Sequence, residues 1–261
     1  MATELQSERR GAALVLTLSD PATRNALSPQ LCAAGIEAVV GAESDPEIRA
    51  SVLRGDGAHF CAGGNVQRLL GVRQREPGEQ AKSMENFHGF VEALRTSPKP
   101  AIAAVEGWAA GGGAALALAC DLVVAAEDAR FVFSYGKIGL SPDGGSTWHL
   151  GRLLPRGLAL QMAWLPEPMS ARDWQAHGLV QAVCASGQAL SQALALAERL
   201  AAMSPNAVAS AKELIENAPR RGLREQLDAE RDHFVRNLFH RNGGEGLQAF
   251  VDKRAPKFYS S

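Results

Sequence analysis

Gly107-Trp-Ala-Ala-Gly-Gly-Gly-Ala-Ala-Leu-Ala-Leu-Ala-Cys-Asp121 is the stretch whose reading decides the fold. It follows an apolar run at residues 101–105 that predicts a strand, and it continues into an Ala/Leu run that predicts a fully buried helix. A strand, a Gly-rich turn and a helix start leave several backbone N–H groups unpaired and pointing one way. The helix dipole puts partial positive charge at the same point. Such a turn can bind a phosphate or hold a carbonyl oxygen that becomes negative during a reaction. It can also do neither, and only let a helix pack tightly on a sheet. The triple glycine Gly111 to Gly113 does not choose among these by itself.

Working back toward the N-terminus, residues 12–18 and 48–53 predict two more strands. Ser28-Pro29 supplies an N-cap and a proline at the first helical position for a helix reaching about Ala42. A second glycine turn, His59-Phe-Cys-Ala-Gly-Gly-Asn65, opens a short helix over residues 66–70. Residues 71–82 are charged, contain Pro77 and Gly78, and predict a surface loop before a helix over 83–95. Downstream, residues 122–126 and 130–133 predict strands, and from Gly151 the pattern is helical apart from an extended interruption at 181–184. Strands, glycine turns and helices in alternation predict an α/β fold with crossover connections. The core is expected over residues 1–200 and a C-terminal helical oligomerisation region over 201–261.

Composition narrows the function. The chain has 27 Lys+Arg against 28 Asp+Glu, a net charge of −1, so no electrostatic footprint for nucleic acid or an anionic membrane is expected. Its four cysteines, Cys32, Cys61, Cys120 and Cys184, lie far apart without a CxxC pair, which predicts neither disulfides nor zinc. No His/Asp/Glu cluster has metal-ligand spacing, and no metal is expected. No apolar run reaches membrane-spanning length, and the N-terminus has no apolar signal core. A cytoplasmic protein is expected.

Two glycine turns, each between a strand and a helix, make a constellation that one turn does not. If both reach the same sheet edge, their N–H groups can converge on one oxygen, and losing one such donor typically costs on the order of 3 kcal/mol of transition-state stabilisation. Neither turn is followed by Lys-Ser/Thr, so the phosphate-loop pattern fails, and no GxGxxG dinucleotide fingerprint opens a helix. A GxSxG elbow is also missing, which leaves a Ser-His-Asp triad unsupported.

These two turns, with Cys120-Asp121 closing the helix, resemble the enoyl-CoA hydratase/isomerase (crotonase) family. Asn25-Ala-Leu27, Gly139-Leu-Ser-Pro-Asp-Gly-Gly145 and Phe250-Val-Asp-Lys-Arg254 follow in the expected order, so the resemblance covers nearly the whole chain. It implies a ClpP/crotonase-like spiral of ββα units, a C-terminal trimerisation region, and a homotrimer or a hexamer built from two trimers. It implies an acyl-CoA thioester as substrate, with no separate cofactor. The thioester oxygen would be held by the backbone N–H groups of Gly64 and Gly112. CoA contacts would fall on Arg24, Ala26, Ala62 and Asn65, with Phe250 and Lys253 near the adenosine end from a neighbouring subunit.

The resemblance also bears on the reaction. The family's hydratases use two glutamates at positions where this chain carries Ala115 and Tyr135. Alanine transfers no proton, and tyrosine, with a reference pKa of about 10, is a poor base at neutral pH. Asp143 aligns instead with the aspartate of the family's isomerases. Pro142-Asp-Gly-Gly-Ser-Thr-Trp148 is similar in particular to the ring-modifying isomerases of phenylacetate degradation. Aspartate-mediated isomerisation of an unsaturated or ring-epoxide acyl-CoA is therefore expected. The alternatives are hydration or hydrolysis by Asp143-activated water, and a non-catalytic RNA-binding or scaffold homologue. In the family's haloaryl-CoA dehalogenases the matching aspartate is a nucleophile assisted by a histidine, and His88 stands where that histidine would be. Tyr135 is expected as a pocket wall or hydrogen-bond donor, His59 as solvent-facing, Asp121 as structural, and Trp108 and Trp148 as packing residues.

Overall fold

The computed structural model describes residues 4–259. Strands β1 (Glu4–Arg10) and β2 (Ala13–Ser19) pair antiparallel at the start. Helix α1 (Pro29–Glu43) leads to β3 (Ala50–Gly55), and α2 (Val66–Val72) and α3 (Pro77–Thr96) lead to β4 (Ala101–Val105). Then come β5 (Trp108–Ala110), α4 (Gly112–Ala119), β6 (Leu122–Ala126) and β7 (Arg130–Val132). Helices α5 (Ser146–Leu153) and α6 (Arg156–Trp164) precede β8 (Met169–Ser170), α7 (Ala171–Ala176) and β9 (Ala182–Cys184). The C-terminal part is α8 (Ala189–Ala201), α9 (Pro205–Asn217), α10 (Leu223–Leu238) and α11 (Arg241–Val251).

Six strands form one sheet in the order β1-β2-β3-β4-β6-β9, parallel except at β1, and β5-β7-β8 form a second sheet. The central strand β4 is buried along its whole length, as a parallel strand covered on both faces must be. Ile102 and Ala104 point to the face covered by α8, whose Ala189, Ala193 and Ala197 recur at helical spacing. Ala101, Ala103 and Val105 point to the opposite face, into the larger core with α1, α3 and α4. All eight residues of α4 are buried, so small side chains are required there to bring helix and strands together.

Asp121 is structural, and its partners show how. Its carboxylate accepts from Ala101 N–H at 2.8 Å and from Lys212 Nζ at 2.8 Å, and Lys212 donates further to the Leu94 carbonyl at 2.9 Å. One lysine on α9 thus ties the C-terminal helices to the loop that enters β4.

Two expectations are corrected, and one strand went unforeseen. Residues 71–82 are not one loop: α2 continues to Val72, and α3 already begins at Pro77, with proline in its first turn where its missing N–H costs nothing. Glu4–Arg10 is an edge strand, hidden in the sequence because its charged, exposed residues lack apolar alternation. His59 is half-buried rather than solvent-facing, and its Nδ1 accepts from Trp108 N–H at 3.4 Å.

Candidate active site

Three backbone segments meet at one end of the sheets. The first glycine turn runs beside β5: Cys61 N–H donates to the Trp108 carbonyl at 3.0 Å and Ala110 N–H to the Cys61 carbonyl at 2.9 Å. The segment after β2 locks onto the same turn, with Leu27 N–H to the Gly63 carbonyl at 2.7 Å and Ala62 N–H to the Arg24 carbonyl at 2.9 Å. Asn25 anchors this segment. It is fully buried, and its amide donates to the carbonyls of Asp56 (2.9 Å), His59 (2.8 Å) and Phe60 (3.3 Å) while accepting from Asp20 N–H at 3.0 Å. Asn25→Ala strands all four groups and is expected to cost about 2–4 kcal/mol, read as a lowered midpoint in urea denaturation.

Gly113 makes the close approach of the two turns possible. A Cβ there would lie 2.2 Å from the Cys61 carbonyl oxygen, closer than any side chain tolerates. Gly112 is the first residue of α4, where N–H groups have no acceptor inside the helix. Neither Gly64 nor Gly112 donates to a carbonyl among the hydrogen bonds of the turns and caps. Both glycines line a cavity of about 60 Å³, and Asp143 lines it with them. A larger cleft of about 300 Å³, bordered by Arg49, Lys99 and Arg236, contains none of these three residues. Chemistry rather than size picks out the smaller one.

Asp143 is half-buried in the loop before α5. Tyr135 donates its hydroxyl to Asp143 Oδ1 at 2.5 Å, and Ser146 caps the loop by donating its N–H to the Asp143 carbonyl at 3.0 Å. Burial and the adjacent carboxylate hold the Tyr135 phenol above its ordinary range, so it is a neutral donor and no base. Ala115 is fully buried, and its methyl lies 3.2 Å from where a Gly144 Cβ would be, placing it directly behind the Asp143 loop.

The remaining expected site residues divide by position. The Asn65 side chain caps α2, accepting from Arg68 N–H at 3.0 Å, while Ala26 is buried and Arg24 is exposed with φ 56°. Phe250 and Lys253 are exposed beyond the cavity; within the single chain they do not reach it. His88 does not line the cavity; its neighbour Phe87 does. The guanidinium groups of Arg152 and Arg95 lie 3.8 and 5.5 Å from the ring centre of Trp148. Burial and these two arginines push the His149 imidazole down to about 4, leaving it neutral at pH 7 and away from the cavity. Arg68 was missed. It lines the cavity from α2, and its only sequence signal was a cation one turn after the glycines.

Among the described residues, no group of three His, Cys, Asp or Glu could hold a metal ion, and no helix is long and apolar enough to cross a membrane. The cavity is lined by two turn glycines and one carboxylate, groups of the kinds that polarise a carbonyl and move a proton.

Fold and cavity together define a crotonase-fold enzyme: the profile of the enoyl-CoA hydratase/isomerase family matches residues 8–261, and the chain belongs to that family. It is 36% identical over 252 residues to the 1,2-epoxyphenylacetyl-CoA isomerase of Escherichia coli, covering 94% of both chains. It is 35% identical over 254 residues to an enoyl-CoA hydratase of Mycobacterium tuberculosis, covering 96% of this chain and 94% of that one. The crystal structure of an enoyl-CoA hydratase from Polaromonas sp. JS666 superposes with a TM-score of 0.97 at 55% identity, over 98% of this chain and 99% of that one.

Proposed function

We propose that this protein is an acyl-CoA isomerase in which Asp143 shuttles a proton on an unsaturated or ring-containing acyl group. The observation that carries this reading is that Asp143 is the one carboxylate among the described residues lining the cavity of Gly64 and Gly112. Ala115 and Tyr135 stand where the resemblance places the two hydratase glutamates, and neither provides a second carboxylate.

In the proposed mechanism the thioester oxygen accepts hydrogen bonds from Gly64 and Gly112. Asp143 removes a proton from a carbon acidified by conjugation to the thioester, and the electron pair moves into an enolate. The two N–H groups stabilise the negative oxygen, where a preorganised donor is worth far more than in water. Asp143 then returns the same proton further along the chain, the double bond moves, and no atom is gained or lost. Arg24, Ala26, Ala62 and Asn65 would contact the CoA, mainly through backbone groups. Exposed apolar side chains on α10 and α11, with Phe234 at 68%, Phe239 at 83% and Phe250 at 84%, support a homotrimer or hexamer in which Phe250 and Lys253 serve a neighbouring site.

Mass spectrometry of products from a panel of 2-enoyl-, 3-enoyl- and ring-epoxide-CoA substrates tests the reaction. Isomerisation leaves the mass unchanged; a product heavier by one water would replace it with hydration. Tyr135→Phe removes the donor that holds Asp143 Oδ1 and is expected to lower kcat about tenfold with little change in KM. Steady-state kinetics check this, and an unchanged kcat would reduce Tyr135 to a pocket wall.

A further inference from the structure

Arg68 brings a positive charge into the cavity that otherwise holds Asp143 and the two glycines. The cap from Asn65 to the Arg68 N–H fixes the start of α2, and with it the place from which this side chain extends. The guanidinium is half-buried. Its Nη1 donates to Gln80 Oε1 at 3.3 Å, a neutral acceptor at the long end of hydrogen-bond range, and its Nε is buried without any hydrogen-bond partner. None of the ion pairs among the described residues includes it. The nearby Cys32 supplies no counter-charge, because burial pushes its thiol up to about 12, only partly opposed by Arg68. Asp143, the carboxylate lining the same cavity, forms no ion pair with it and instead accepts from Tyr135 at Oδ1.

A guanidinium taken out of water without an anion is costly, whereas its planar fork matches a carboxylate in two parallel hydrogen bonds. The rest of the wall includes Leu27, Leu69, Met84 and Phe87, which suits a hydrocarbon segment between two polar ends. A purely aliphatic or aromatic acyl group would fill this cavity and leave Arg68 uncompensated.

We propose that Arg68 sets the substrate specificity of this site by binding a second carboxylate on the acyl group, so that the substrate is the CoA monothioester of an unsaturated dicarboxylic acid. This rests on the cavity being the acyl-CoA site described above. A CoA phosphate is the other source of a matching oxyanion. The acyl carboxylate is favoured because Arg68 shares the cavity with Asp143, where the acyl carbons must lie.

Binding of saturated, unreactive analogues tests this without requiring turnover. Adipyl-CoA, hexanoyl-CoA and free CoA are titrated by calorimetry against the wild type, Arg68→Leu and Arg68→Lys. Adipyl-CoA is expected to bind the wild type at least about tenfold more tightly than hexanoyl-CoA. Arg68→Leu should erase that preference, Arg68→Lys should retain part of it, and free CoA should bind all three alike. Equal binding of the two acyl-CoAs to the wild type overturns the proposal, as does an Arg68→Leu loss that is equally large for free CoA. An Arg68-dependent preference for adipyl-CoA, in an enzyme that isomerises no acyl-CoA, would uphold the carboxylate site while rejecting the isomerase reading.

Discussion

Asp143→Asn is expected to lower kcat by about a hundred- to ten-thousand-fold while leaving acyl-CoA affinity nearly unchanged. The substitution keeps the side-chain volume and a carbonyl oxygen that can still accept from Tyr135 at the position of Oδ1. What it removes is the ability to take a proton, and general acid–base catalysis by a positioned side chain contributes about that range. No other carboxylate among the described cavity-lining residues can substitute for it. Burial keeps the Tyr135 phenol protonated, and His149 lies outside the cavity. Single-turnover kinetics with a substrate identified by the panel, together with a binding isotherm, separate the two effects. Turnover within about tenfold of wild type would remove Asp143 from the base role.

Gly63→Ala has the second large expected effect, and it acts through the backbone. Gly63 has φ +81°, and a Cβ added there would lie 2.6 Å from the Ala110 carbonyl oxygen and 2.8 Å from the Gly112 nitrogen. Both are main-chain atoms of the second glycine turn and cannot swing away as a side chain could. The two turns must separate, which moves Gly64 and Gly112 apart and strains the Leu27 hydrogen bond to the Gly63 carbonyl. Loss of one properly aimed donor lowers kcat about a hundred- to a thousand-fold. The strained backbone lowers stability by about 1–3 kcal/mol, visible as a reduced Tm. Gly64→Ala is the control for fold: its Cβ would meet only the Leu69 side chain at 3.7 Å, so Tm should hold. An active, thermally normal Gly63→Ala enzyme would show that the turns tolerate separation, and the two-donor mechanism would fall with it.

Much of the fold was legible because its signals are local. Ala101–Val105 and Leu122–Ala126 appear at the bounds expected from unbroken apolar runs, and Ser28 caps α1 by accepting from Leu31 N–H at 3.1 Å. Elements whose stability comes from pairing were not legible. β1 is polar and charged, and it is a strand only because β2 offers it a ladder over seven residue pairs. β5 is three residues inside a glycine turn, held by β7 and by the bridge from Cys61 to Ala109. The start of α3 was misplaced because its first turn is charged and contains Pro77 and Gly78, which resemble a loop in composition.

The candidate site divides the same way. Spacing alone showed two glycine turns between strands and helices, and it was the resemblance to the family that singled out Gly64, Gly112 and Asp143 within them. Which side chains meet across the chain could not be read from spacing. Tyr135 could have faced a wall, yet the structure sets its hydroxyl on Asp143. His88 stood at a suggestive position, yet the helix turns Phe87 toward the cavity. Arg68 attracted no attention in sequence, because a cation on a short helix is ordinarily solvated. Its buried, unpartnered Nε becomes visible only when α2, α3 and the two glycine turns are packed together. By itself the sequence determined the turns and the α/β core, which are matters of local conformation, and its resemblance to the family pointed to Asp143 as the proposed proton carrier. Only the tertiary structure decided what surrounds that residue, because burial and charge compensation depend on segments far apart in the chain.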